Sequence, residues 1–388
     1  MPPRRDPRAA LEHALATRRI VVVAGSGGGG KTTTAAALAM RAARAGRRVL
    51  VCTIDPSRRL ATSLGLNTLS GRPRTIELGR LSPPPAAGGV LWAMVLDVQS
   101  TFDELVTRYT PDEAARQRIL GNRFYQHVSA ALAGSHEYMA MEKLLELSAD
   151  ERYELIVLDT PPTRQALDFL EAPDRLLDFL DTSVLRWFLR PYFAAGRLTL
   201  KVASRTGAIA LQLADRFLGL QFLADLSEFF LAFESMYAGF KQRAACVHEL
   251  LRAASSGFVL VAGPSPLALE EALYFRRRLE EKQMPFVAFV VNRVHLDPAR
   301  EAGAKRRARI DIDAGLAQLL VLTLREQQVL AGAERRALAR LEVDTREKPV
   351  LVPELEQDVH DLRGLAGFGE LIFDSHRSPG RRTRAVAS

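Results

Sequence analysis

Seven apolar runs punctuate the chain, and they are continuous rather than alternating: Ile20 to Ala24, Val49 to Ile54, Trp92 to Leu96, Leu155 to Leu158, Phe258 to Val261, Phe286 to Val291 and Val350 to Val352. A run that is apolar on both of its faces predicts a strand covered on both sides, the habit of parallel sheets. Alanine- and leucine-rich stretches with helical spacing, such as Thr34 to Met40, fall between the runs. Strands alternating with helices predict an α/β fold with a mostly parallel sheet flanked by helices. Two helical stretches interrupt that alternation, so the chain divides into core segments 18–98, 151–168 and 255–375, an inserted helical subdomain of 99–150 and 169–254, and a disordered basic tail, 376–388. Residues 69–89, rich in proline and glycine, read as a loop. The stretch from Leu211 to Phe233 carries more apolar residues than one helix stripe needs, which predicts packing inside a helical lobe, a second subunit, or an apolar client.

One junction between strand and helix carries chemistry. After Ile20 to Ala24, Gly25-Ser26-Gly27-Gly28-Gly29-Gly30-Lys31-Thr32-Thr33 satisfies the spacing G-x-x-x-x-G-K-[ST]. Glycines let successive backbone N–H groups curl inward around an anion, and the helix N-terminus adds partial positive charge there. The pattern predicts a P-loop formed by Gly27, Gly28, Gly29, Gly30, Lys31, Thr32 and Thr33. Lys31 is expected to reach the β/γ-phosphates of a nucleotide and Thr32 to hold Mg²⁺. Asp55, Asp159 and Asn292 each stand at the carboxyl end of a strand, where open parallel sheets bind ligands. Asp159 is the expected second group of the metal site. Asp55, in Asp55-Pro56-Ser57-Arg58-Arg59, either polarises the attacking water or caps the helix that follows.

Charge and cysteine content narrow the partners. The net charge is +8, but the arginines near residues 4–8 and 377–384 supply most of it, leaving roughly +3 for the folded body. That balance argues against a nucleic-acid groove. Two cysteines, Cys52 and Cys246, give no disulfide framework and fit a reducing cytoplasm, with peripheral membrane association open. The most apolar later segment, Phe217 to Phe233, contains Asp225 and Glu228 and falls short of the roughly 20 residues of a spanning helix, so stable membrane insertion is not expected. His136-Glu137 begins a zinc-protease pattern that Ala140 breaks, and His360 lacks partners at useful spacing.

The loop, Asp55-Pro56, and Asp159-Thr160-Pro161-Pro162-Thr163 resemble the deviant Walker A, switch I and switch II of the ArsA/Get3 ATPases, a SIMIBI-class family of P-loop NTPases. The likeness runs from about residue 18 to 375 and is nearest to bacterial members described as anion-transporting ATPases. It implies ATP and Mg²⁺ as cofactors, Asp55 as the water-activating carboxylate, and Asp159 as the switch II aspartate. It also implies an adenine end near Val291-Asn292-Arg293 and Pro353-Glu354-Leu355, preceded by an exposed helix over Arg325 to Leu341. The working form it implies is a nucleotide-sandwich dimer, either a homodimer or a heterodimer with a homologous ATPase. Closure of that dimer would rearrange the helical subdomain around a hydrophobic protein client or a partner.

The chain departs from the family at Ser26, where a signature lysine normally reaches the partner's phosphates. Arg58, Arg59 and Arg164 are the local candidates to compensate the phosphate charge. The metalloid-binding cysteine cluster and the Cys-x-x-Cys zinc clasp of some members are absent from this sequence. Two other outputs stay open: a partition-type or regulatory nucleotide switch, and a weakly active scaffold subunit of a heterodimeric ATPase.

Overall fold

The apolar runs become strands buried along nearly their whole length, in a computed structural model that describes residues 6–55, 57–81, 84–110, 112–122, 135–161, 239, 242–297 and 313–374. The strands are β1 (Ile20–Gly25), β2 (Arg48–Thr53), β3 (Arg74–Ile76), β4 (Val90–Val95), β5 (Leu155–Asp159), β6 (Ser256–Ala262), β7 (Phe286–Val294) and β8 (Val350–Pro353). They form one sheet in the order β3-β4-β2-β5-β1-β6-β7-β8. Every pairing is parallel except that of β3 with β4.

The short antiparallel strand β3 corrects the reading of 69–89 as loop throughout. Arg74 to Ile76 pair with Leu91 to Ala93, and a 3₁₀ turn follows at Leu78–Arg80. Only Ile76 of the three strand residues is buried, so the run is too short and too polar to show a period.

The helices are α1 (Pro7–Thr17), α2 (Lys31–Arg44), α3 (Arg59–Ser63), α4 (Val98–Tyr109), α5 (Glu113–Gly121), α6 (Ser135–Ala149), α7 (Pro266–Glu281), α8 (Ala314–Thr345) and α9 (Leu362–Phe373). The alanines of α2 explain its place. Ala35, Ala36, Ala37, Ala39, Ala42 and Ala43 are buried, and their small side chains let the helix lie between β2 and β5 on one flank and α9 on the other, with Arg41 on its exposed side. Helix α8 extends well beyond the span expected from sequence, Arg325 to Leu341. Its second half packs through the stripe Ala331, Glu334, Leu338 and Leu341, while Leu316, Leu319, Leu320 and Leu322 in the first half are exposed.

The chain divides into two units, Met1–Val95 with Leu147–Ala166 and Leu250–Ser388, and Leu96–Glu146 with Leu167–Glu249. Within the second unit, Asp97 caps α4 by accepting from the Ser100 N–H. Arg243 bonds Glu142 at 2.9 Å and lies over the Tyr109 ring. The apolar stretch Leu211 to Phe233, together with Pro162, Thr163, Arg164 and the basic tail, lies outside the described residues.

At the amino-terminal rim of the sheet, arginine side chains bind backbone carbonyls. Arg18 donates to Ala254 and Ser256, Arg19 to Ser148, Asp150 and Tyr153, and Arg47 to Leu15, Arg18 and Glu154. The opposite, carboxyl-terminal rim carries the glycine loop.

Candidate functional site: the glycine loop and the carboxyl ends of the strands

The loop leaves β1 where only glycine fits. A Cβ on Gly25 would lie 1.7 Å from the Val261 carbonyl oxygen. Gly30 then caps α2 in the left-handed region at φ +89°, and a Cβ there would meet the Asn292 side chain at 2.3 Å. Asn292 approaches so closely because its amide donates to the Gly29 carbonyl at 3.1 Å. The end of β7 thus buttresses the loop, while Gly27 and Gly28 form its exposed tip.

Lys31 turns back across the loop, its ammonium donating to the Ser26 carbonyl at 2.9 Å. Burial pulls its pKa below the usual lysine value, and the charges of Asp159 and Asp55 oppose that drop. Ser26 holds its own hydroxyl inside the fold, where among the described residues it has no partner.

Asp159 is completely buried at the end of β5, in register with Val23 of β1 and Thr53 of β2. Its Oδ2 accepts from the Thr32 hydroxyl at 2.7 Å and from the Thr53 hydroxyl at 2.8 Å, whereas Oδ1 has no hydrogen-bond partner among the described residues. Desolvation pushes its pKa up to about 6, against the pull of the two hydroxyls and Lys31. A buried carboxylate with an orphaned oxygen, beside a threonine hydroxyl at a helix start, is a hard oxygen donor set of the sort Mg²⁺ prefers. Thr32 and Asp159 therefore suit a magnesium site.

Asp55 does not cap the following helix. Helix α3 begins at Arg59 after Arg58, which has no side-chain cap bond, and Asp55 Oδ1 instead accepts the Ser57 N–H at 2.9 Å in a local turn. The Asp55 N–H donates to the Thr53 hydroxyl at 3.2 Å, so one threonine links the Asp55 segment to Asp159. Arg58 and Arg59 are exposed, and the charge of Arg59 is felt at Lys31. Pro353 closes β8 opposite Val294, farther along the rim from the loop.

The structure thus gathers the loop, Asp55, Asp159 and Asn292 at one rim. Sequence reading missed Thr53, Thr160 and the pair His295–Glu334. Thr53 had a visible signal, a hydroxyl in an apolar strand two residues before an aspartate. Thr160 secures the chain just after β5, its hydroxyl donating to the Val23 carbonyl at 3.0 Å. Glu334 had no local signal, because its partner lies 39 residues away.

A parallel sheet whose first strand runs into a lysine-closed glycine loop, with a buried aspartate on the adjoining strand, defines a P-loop nucleoside triphosphatase. More narrowly, the chain belongs to the anion-transporting ATPase family, whose profile matches residues 18–318. A stretch of 172 residues is 29% identical to an uncharacterized protein of Streptomyces coelicolor, covering 44% of this chain and 40% of that one. The match therefore spans less than half the length of that relative. The family is one of ATP-binding ATPases. No helix among the described residues is long and apolar enough to cross a membrane.

Proposed function

We propose that the chain is a Mg²⁺-dependent ATPase in which closure of an ATP-bound dimer is coupled to rearrangement of the helical unit, which holds and releases an apolar client or partner. The observation that carries this reading is Asp159: buried, bonded to Thr32 and Thr53, and left with one oxygen that no described residue bonds, beside the loop. Lys31 and the backbone N–H groups of Gly27 to Thr33 cradle the phosphates. Thr32 and Asp159 hold the metal, directly or through water. Mg²⁺, when bound, supplies positive charge that neutralises the β- and γ-phosphate oxygens. Asp55 orients the attacking water and accepts its proton, with Thr53 fixing its backbone. Coupling to the helical unit rests on chain continuity, because that unit's second segment begins at Leu167, eight residues beyond Asp159.

Phosphate release from Mg²⁺-ATP tests the reading. Lys31→Ala should abolish ATP binding, and Asp55→Asn should keep binding while stopping turnover. Sedimentation of Asp55→Asn with Mg²⁺-ATP should show a dimer. Parental turnover in Asp55→Asn would remove the water-activating role.

Ser26 favours a second reading, a scaffold subunit paired with a lysine-bearing homologue. The isolated chain would then be nearly inactive and its homologue would restore turnover. If it works alone, alanine at Arg58, Arg59 or Arg164 should cost hydrolysis without costing binding.

A further inference from the structure

Glu334 is a buried carboxylate that the phosphate chemistry leaves unused. It sits on the packed face of α8 at 9% exposure, and a single residue occupies both of its oxygens. Oε2 accepts the His295 backbone N–H at 2.8 Å, and Oε1 faces the His295 ring Nδ1 at 2.7 Å. The other ring nitrogen lies 3.1 Å from Glu354 Oε2. A buried carboxylate is costly unless it is paired, and apolar packing would have filled the same space without that cost. What the carboxylate adds is direction: two bonds fix both the backbone and the ring of one residue.

The backbone around His295 needs that fixing. Arg293 has φ +62°, and the pairing of β7 with β8 shifts register between Val291 and Val294. Beyond the shift, the Glu354 N–H donates to the Val294 carbonyl at 3.1 Å. His295 therefore ties together the end of β7, the segment after β8, and α8. Arg335 on α8 adds a bond to Asp297 at 3.3 Å.

The direction of a bound nucleotide follows from where the acids lie. Asp159, Thr53 and Asp55 all stand at the ends of β5 and β2, on one side of the loop that follows β1. On the ATPase reading above, these acids would face the γ-phosphate, which would put the base on the other side, toward β7 and β8. Asn292 already touches the loop from there.

We propose that His295, held by Glu334, is a positioning residue for the nucleobase: it sets the spacing between the end of β7 and the segment after β8, and with it the affinity for and choice of purine. The proposal rests on the ATPase reading above. The test compares the full-length chain with His295→Ala for binding of Mg²⁺-ATP, Mg²⁺-GTP and Mg²⁺-tripolyphosphate, the last having phosphates but no base. His295→Ala should weaken ATP about tenfold, the scale of one or two lost polar contacts, and narrow the preference for ATP over GTP. Its affinity for tripolyphosphate should stay unchanged. Should His295→Ala fail to fold, Glu354→Gln removes charge only from the half-exposed partner and should show the same split at smaller size. Equal weakening of ATP and tripolyphosphate, or unchanged ATP affinity in a chain that binds ATP, overturns the positioning role alone. A parent chain that binds neither overturns the ATPase reading and this proposal with it.

Discussion

Asp159 concentrates the energetic tension of the site in one side chain. Its folded pKa of about 6 lies above the ~3.9 of an exposed aspartate. Between those values the native chain binds more protons than the unfolded chain, so the contribution of this group to stability falls as pH rises through the window. The full loss across the window is roughly 3 kcal/mol. Asp159→Asn should therefore match the parent near pH 4, exceed it in stability by pH 7, and lose stabilisation by Mg²⁺-ATP. Thermal melts across that range check this, and a parent-to-variant gap that does not widen with pH would contradict it. Gly30→Ala makes a second test, because its Cβ would meet the Asn292 amide at 2.3 Å in a left-handed backbone. It should cost about 2 kcal/mol from backbone strain, plus the displaced amide bond. Adding Asn292→Ala should recover part of the steric cost. Purely additive losses in a double-mutant cycle would show that the two residues do not collide.

Among the elements, α8 separates two kinds of apolar residue. Leu338 belongs to the packed stripe and Leu322 to the exposed half. Leu338→Ala should cost about 2–4 kcal/mol through the cavity it leaves, and Leu322→Ser no more than about 0.5 kcal/mol, as urea unfolding would measure. Similar losses for both would mean that the exposed half packs in solution. The seven parallel strands were legible in the sequence because burial on both faces writes a continuous apolar run. The loop was legible because its glycines, lysine and threonine occupy consecutive positions. Strand β3 was hidden, since an edge strand with one buried residue writes no pattern. The α8 boundary was hidden too: its exposed half is as leucine-rich as a core helix, so composition alone could not mark where packing stops. The clamp on His295 needs the fold before Glu334 and Glu354 become its neighbours.

At the scale of the whole molecule, the two rims of the sheet are built differently. The carboxyl-terminal rim holds the glycine loop and the Asp55 turn, while arginine side chains bind the amino-terminal rim together. Arg47→Met keeps much of the aliphatic stem and removes the bonds to Leu15, Arg18 and Glu154. It should lower stability by about 1–3 kcal/mol, since three carbonyls lose a charged donor, and leave ATP affinity unchanged. Chemical unfolding beside nucleotide titration separates the two effects, and a large fall in affinity would show that the rims are not independent. These arginines bind carbonyl oxygens, so they recognise the path of a backbone and not the identity of a residue. Ser148 and Ala254, which are not buried, can drift to other side chains without loosening the rim. Covariation between relatives will carry no trace of these contacts, and alignments alone will undervalue the arginines that make them.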